Sequence, residues 1–138
     1  MPYISKRAFD SPVILSTFTG RISTEDFHRW NNEVNSTVLT LLPAPFAKLY
    51  FILDVRVAEV DFPTILSQMR ENFSDQAPDG FDDGMVDILL VGIDAMAKLA
   101  SEMARLPQFG GFAMPLFRNL EDALAYVAVD QQKLKLRT

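Results

Sequence analysis

The side chains that could do chemistry in this sequence are carboxylates and hydroxyls. Cysteine is absent and His28 is the one histidine. Thiol nucleophiles, disulfides, thiolate metal sites and multi-histidine metal sites are therefore excluded. His28 could act as a general base only if the fold brought a nucleophile or carboxylate to it. It stands next to Phe27 on the flank of an apolar helix face, an ordinary place for a solvent-facing histidine. No Gly-x-Gly-x-x-Gly, no phosphate loop ending in Gly-Lys-Ser/Thr and no Gly-x-Ser-x-Gly elbow occurs. Asp79, Asp83 and Gly84 match positions 1, 5 and 6 of a calcium loop, but Phe81 and Leu90 stand at positions 3 and 12, where oxygen ligands belong. Asp82 and Asp83 would tune each other's proton affinity only if buried together, and their polar surroundings oppose that. The expectation is a protein that is not an enzyme, with no metal and no cofactor.

The remaining candidates are residues suited to recognition. Arg56, Asp61, Phe62, Thr64 and Asp94 fall where apolar strands hand over to helices. Ligands and partners of α/β sheets tend to meet the loops at the carboxyl ends of parallel strands. Asp61 and Asp94 can cap the helices that follow. Thr64 is placed in a first helical turn, where a phosphate would meet free backbone N–H groups and the positive end of the dipole. Phe62 can plug the sheet or present an apolar contact to a partner.

The elements that must position these residues follow from hydrophobic period and punctuation. Tyr3 to Phe9 and Val13 to Phe18 read as a hairpin turned by Asp10-Ser11-Pro12, with Gly20 ending the second strand. Ser23-Thr24-Glu25-Asp26 has the pattern of a capping box. Phe27, Trp30, Val34, Val38 and Leu41 then mark one apolar face of a helix that ends at Pro43. Lys48 to Asp54 is a near-continuous apolar run, expected as a central strand buried on both faces. A helix is expected from about Asp61, with Pro63 in its first turn. Val86 to Ile93 is a second buried strand, predicted to neighbour Leu49–Leu53 in parallel. Asp94 caps a helix stopped before Pro107. Gly111 to Phe117 is a last strand, and Asn119 caps a last helix. The order β-β-α-β-α-β-α-β-α predicts an α/β fold: a five-stranded mixed sheet with about four helices. Ser74 to Gly84 is a long acidic connection, read as a surface loop.

Size and charge narrow the functional classes. The 138 residues, 49% hydrophobic and 22% charged, suit a single domain spanning 1–138. The net charge of −5 argues against nucleic acid. Acids crowd residues 54–94, whereas Lys133, Lys135 and Arg137 make a short basic tail. No apolar stretch approaches the ~20 residues of a spanning helix, and the first ten residues lack the apolar core of a signal peptide, so no membrane span is expected and the cytoplasm is the expected compartment.

Phe51-Ile52-Leu53-Asp54-Val55-x-x-Ala58-x-Val60-Asp61, the run Ile88–Ile93 with its Ala-rich helix, and Phe117-Arg118-Asn119-Leu120-Glu121-Asp122-Ala123-Leu124 resemble the corresponding parts of the bacterial STAS/SpoIIAA-like family. The resemblance spans nearly the whole chain. It implies a regulatory, non-enzymatic module that binds a protein partner. Sporulation-type members carry Asp-Ser-Ser/Thr-Gly at the second helix, with a serine that a partner kinase phosphorylates. This chain has Asp61-Phe62-Pro63-Thr64: the acid matches, Phe62 and Pro63 replace the two hydroxyl residues, and Thr64 stands where the family has Gly, so the family's phospho-switch does not carry over and Thr64 is left as the residue that could take a phosphate. A second class stays open, a small-molecule or lipid-binding domain with an apolar cleft between helices and sheet, lined by residues such as Trp30, Phe73, Met96, Met103 and Phe112. The 11 Phe and 6 Met leave apolar surface to cover, for which a homodimer is the expected solution.

Overall fold

The computed structural model describes residues 3–8, 10–42, 44–61, 85–106 and 113–136. Five strands form one sheet in the order β1-β2-β3-β4-β5. They are β1 (Tyr3–Lys6), β2 (Val13–Ile22), β3 (Leu49–Val60), β4 (Val86–Val91) and β5 (Leu116–Phe117). The described helices are α1 (Thr24–Leu41), α2 (Ala95–Ala104) and α3 (Leu120–Leu136). β1 pairs antiparallel with β2, and every other pairing is parallel. The mixed sheet and the alternation of strand and helix are those expected from the sequence. The helix expected from Asp61 and the acidic segment Ser74–Gly84 lie outside the described residues.

Local chemistry explains where these elements start. Asp10, at φ 61, makes the hairpin turn, in a left-handed conformation that Asp tolerates better than most residues. Ser23 and Asp26 close a reciprocal capping box: Asp26 N–H donates to Ser23 Oγ (3.1 Å) and Ser23 N–H to Asp26 Oδ2 (2.9 Å). Asp94 Oδ1 accepts from Ala97 N–H (2.8 Å) and Asn119 Oδ1 from Asp122 N–H (2.8 Å), so both expected caps are made.

β3 and β4 are adjacent, parallel and buried, from Leu49↔Val86 to Asp54↔Val91. Their side chains feed two cores. On one face Leu49, Phe51, Leu53, Val55, Ile88 and Leu90 meet α1 and α2. There Phe18 stacks between Tyr3 (5.2 Å) and Phe27 (5.9 Å), and Trp30 donates its indole N–H to buried Ser16 (3.0 Å). On the other face Tyr50, Ile52, Leu89 and Val91 meet Ala123 and Val127 of α3.

Several boundaries correct the sequence reading. β1 stops at Lys6, not Phe9, and β4 at Val91, not Ile93, since Arg7, Ala8, Gly92 and Ile93 are not in strand. β2 does not end at Gly20 but runs on to Ile22, with Gly20 at φ +70, a conformation glycine takes without steric cost. β3 does not end at Asp54. Its last residues, Val57–Val60, pair with Thr19–Ile22, after one extra residue on β3 where Thr17↔Asp54 gives way to Thr19↔Val57. The expected loop is thus a two-stranded arm that runs past the end of β4. The last strand is shorter than expected: Ala113–Pro115 are not in strand, and only Leu116–Phe117 pair with β4.

Candidate functional site at the carboxyl end of the central strands

Asp54 ends the part of β3 that is flanked by strands on both sides, and β4 stops opposite it at Val91. Its carboxylate is nearly buried, at 6% exposure. A charge there needs partners. Arg56, two residues on, supplies three among the described residues: Nε donates to Oδ1 (3.0 Å), Nη2 to Oδ2 (2.7 Å), and the backbone N–H to Oδ1 (3.2 Å). The side-chain pair is a two-pronged fork that fixes the guanidinium plane. Burial works against ionisation of Asp54, but the bonds from Arg56 outweigh it and hold the carboxyl below its ordinary range.

Gly92 brings the neighbouring turn close. A Cβ at this position would lie 2.5 Å from Ala97 Cβ and 3.3 Å from Val55 Cγ2, so only glycine lets the first turn of α2 settle against β3. Asp94 follows as the cap of α2, and its acid neutralises the positive helix end. Two large apolar side chains face solvent at this end, Val57 at 67% and Ile93 at 66% exposure.

The candidates from the sequence therefore divide. Arg56 and Asp94 belong to one end of the sheet, joined through the Val55–Gly92–Ala97 contact. Arg56 is a strand residue, not the loop residue expected. Asp61 follows the end of β3, about 17 Å further along the arm at ~3.3 Å per residue. Phe62 and Thr64 lie outside the described residues. Val57 and Ile93 were not singled out: Val57 falls in the loop expected after Asp54, and Ile93 reads as the last residue of an apolar strand. Their exposure follows from β3 outrunning β4.

Of the cleft candidates, Trp30 is a core residue, 2% exposed with its N–H committed to Ser16. Met96 and Met103 are half-buried against the same core. Phe73 and Phe112 lie outside the described residues.

A second polar cluster stands at the amino end of the same strands. Lys48 Nζ lies 3.0 Å from Asp87 and 2.8 Å from Asp130, and Tyr50 donates its hydroxyl to Asp130 (2.5 Å). Burial lowers the proton affinity of Lys48, but the two carboxylates overcome it and raise its pKa. Burial opposes the charge on Asp130, and Lys48 and Tyr50 more than reverse this. Burial and Asp130 both push the Tyr50 hydroxyl far up. Every charge in this cluster meets an opposite one within the chain, and Asp130 ties α3 to the sheet. The signal in the sequence was an acid, Asp87, interrupting a buried strand, which calls for a buried partner.

No family model matches the sequence, and no curated protein matches it. Among solved structures it is similar to an uncharacterized protein of the DUF3478 family, with a SpoIIAA-like fold, from Shewanella loihica PV-4. The TM-score is 0.56, with 12% identity over 90% of each chain. The chain has a SpoIIAA-like fold. Among the described residues no helix is long and apolar enough to cross a membrane.

Proposed function

We propose that this chain of SpoIIAA-like fold is a non-enzymatic regulatory module that binds a protein partner at the carboxyl end of β3 and β4, and that it works in the cytoplasm as a homodimer. The observation that carries the reading is the exposure of two apolar side chains at this end of the sheet, Val57 on the arm and Ile93 after β4, together with the oriented guanidinium of Arg56 on the same arm. An apolar centre with an arginine beside it is the composition of a protein-binding patch. The acids at this end are already engaged, Asp54 by Arg56 and Asp94 by the α2 N-terminus. That set is suited to recognition, not to proton transfer. Phe62, as a further partner contact, and Thr64, as a position that could take a phosphate, belong to the same reading on the strength of the sequence alone.

The test is capture of partners from the native host with wild-type protein, Val57→Glu, Ile93→Glu, Phe62→Ala and Thr64→Glu. The reading expects a protein retained by wild type and lost from the Val57 and Ile93 variants. If all four variants stay folded and keep every wild-type partner, the reading falls.

A second reading, a small apolar ligand, has its own support. On α1 the buried side-chain oxygens of Asn31 and Asn35, one turn apart, have no hydrogen-bond partner among the described residues. A ligand with an apolar body and a donor group would satisfy them. Native mass spectrometry of the protein taken from its host decides this: a small adduct lost on Asn31→Leu supports it, and a bare chain mass contradicts it.

A further inference from the structure

Helix α3 commits little of itself to the core. Ala123 and Val127 are its buried residues, although it is 17 residues long, about 25 Å at 1.5 Å per residue. On its opposite side Asp122, Ala125, Val129, Gln132 and Leu136 are all exposed. They are separated by steps of three, four, three and four, the spacing of a two-helix seam. Val129 is 53% and Leu136 87% exposed, and Leu124 on the flank is 43% exposed.

Charge along this helix has a direction. Glu121 and Asp122 occupy the first turn, and Lys133 and Lys135 the last. This polarity suits the helix dipole, but the dipole does not account for the exposed apolar Ala125 and Val129 of the seam between the two charged ends. A second copy of α3 laid antiparallel accounts for both. Its basic last turn then faces the acidic first turn, and the reverse holds at the other end. Val129 meets its own counterpart at the two-fold axis, one turn from the small side chain of Ala125. A parallel arrangement would set like charges together at both ends. Self-complementarity of this kind is what a two-fold interface requires.

We propose that two copies of the chain associate through α3, antiparallel, with Val129 on the two-fold axis. This names the surface for the homodimer proposed above and rests on that reading.

The experiment is sedimentation equilibrium at tens of micromolar, with circular dichroism as the check of folding. Four samples are compared: wild type; Glu121→Lys with Asp122→Lys; Lys133→Glu with Lys135→Glu; and an equimolar mixture of the two double variants. The wild type is expected at twice the 15.5 kDa chain mass. Each double variant alone gives the two ends of α3 the same sign of charge and is expected as a monomer. The mixture is expected to return to the dimer mass, because each variant then complements the other. Val129→Lys, a change at an exposed site, is expected to be monomeric as well and serves if a double variant fails to fold. A wild-type dimer that survives in Val129→Lys or in both double variants overturns the α3 seam and leaves self-association standing. Monomeric variants whose mixture stays monomeric overturn the antiparallel arrangement. A monomeric wild type overturns the seam and the homodimer together.

Discussion

The two ends of β3 and β4 use similar charges differently. At the amino end Lys48 sits between Asp87 and Asp130, with Tyr50 closing the group, and every charge is answered within the chain. At the carboxyl end the Asp54 carboxylate is answered by Arg56, but the guanidinium is itself exposed, as are the apolar Val57 and Ile93 of the same end of the sheet. The first arrangement locks a helix to a sheet. The second fixes the direction of an outward-facing cation without enclosing it. Perturbed proton affinity occurs at both ends, so perturbation alone does not mark the working surface. What separates them is whether the side chains around the pair face inward or outward.

Substitutions should separate the ends by size of effect. The largest is expected for Lys48→Met, which leaves Asp87 and Asp130 facing each other without their cation. A loss of about 3 kcal/mol is expected in urea unfolding, because removing one partner of a largely buried pair strands the others. Gly92→Ala comes next, since its Cβ would collide with Ala97. About 2 kcal/mol should be lost by the same measurement, the usual cost of overpacking. Arg56→Met should cost the least of the three by the same measurement, because the Arg56 end of the pair is solvent-screened and Asp54 keeps its backbone N–H donor. A loss from Arg56→Met as large as that from Lys48→Met would erase the distinction between the ends.

The pH dependence sharpens the comparison further. Asp130 has a depressed pKa in the folded chain, so its contribution is present above the unfolded carboxyl value and is lost as pH falls through the folded one. Lys48 has a raised pKa, so its contribution is present below the unfolded amine value and is lost as pH rises through the folded one. The amino-end lock should therefore weaken at both extremes. The carboxyl-end pair, with Asp54 depressed, should weaken on the acid side alone as far as the carboxyl is concerned. Thermal melts of Asp130→Asn across the acid range should fall less steeply than those of wild type. An identical slope would contradict the role given to Asp130.

These differences also show what the amino-acid sequence made legible. Signals that act over a few residues came through: the capping box at Ser23–Asp26, the caps at Asp94 and Asn119, the turn at Asp10, and the apolar runs of β3 and β4. The arm did not. Arg56 and Glu59 break the apolar run after Asp54, and Gly20 looks like a strand end. Only the pairing of Thr19–Ile22 with Val57–Val60, segments far apart in the chain, makes both into strand. The candidate site inherited that error. Arg56 and Asp94 were legible as a charged residue and a cap at strand ends. Val57 and Ile93 were not: Val57 stood in an expected loop, and for Ile93 hydrophobicity alone cannot tell a buried strand residue from an exposed one past the strand's end.

The central claim is that the carboxyl end, not some other exposed apolar position, meets a partner. A photoreactive phenylalanine analogue placed singly at Val57, Ile93 and Leu39 tests it in the native host. Leu39 on α1 is 83% exposed and serves as the control. The account predicts one discrete protein adduct formed from Val57 and Ile93 and absent from Leu39. The same adducts from all three positions, or an adduct from Leu39 alone, would contradict it.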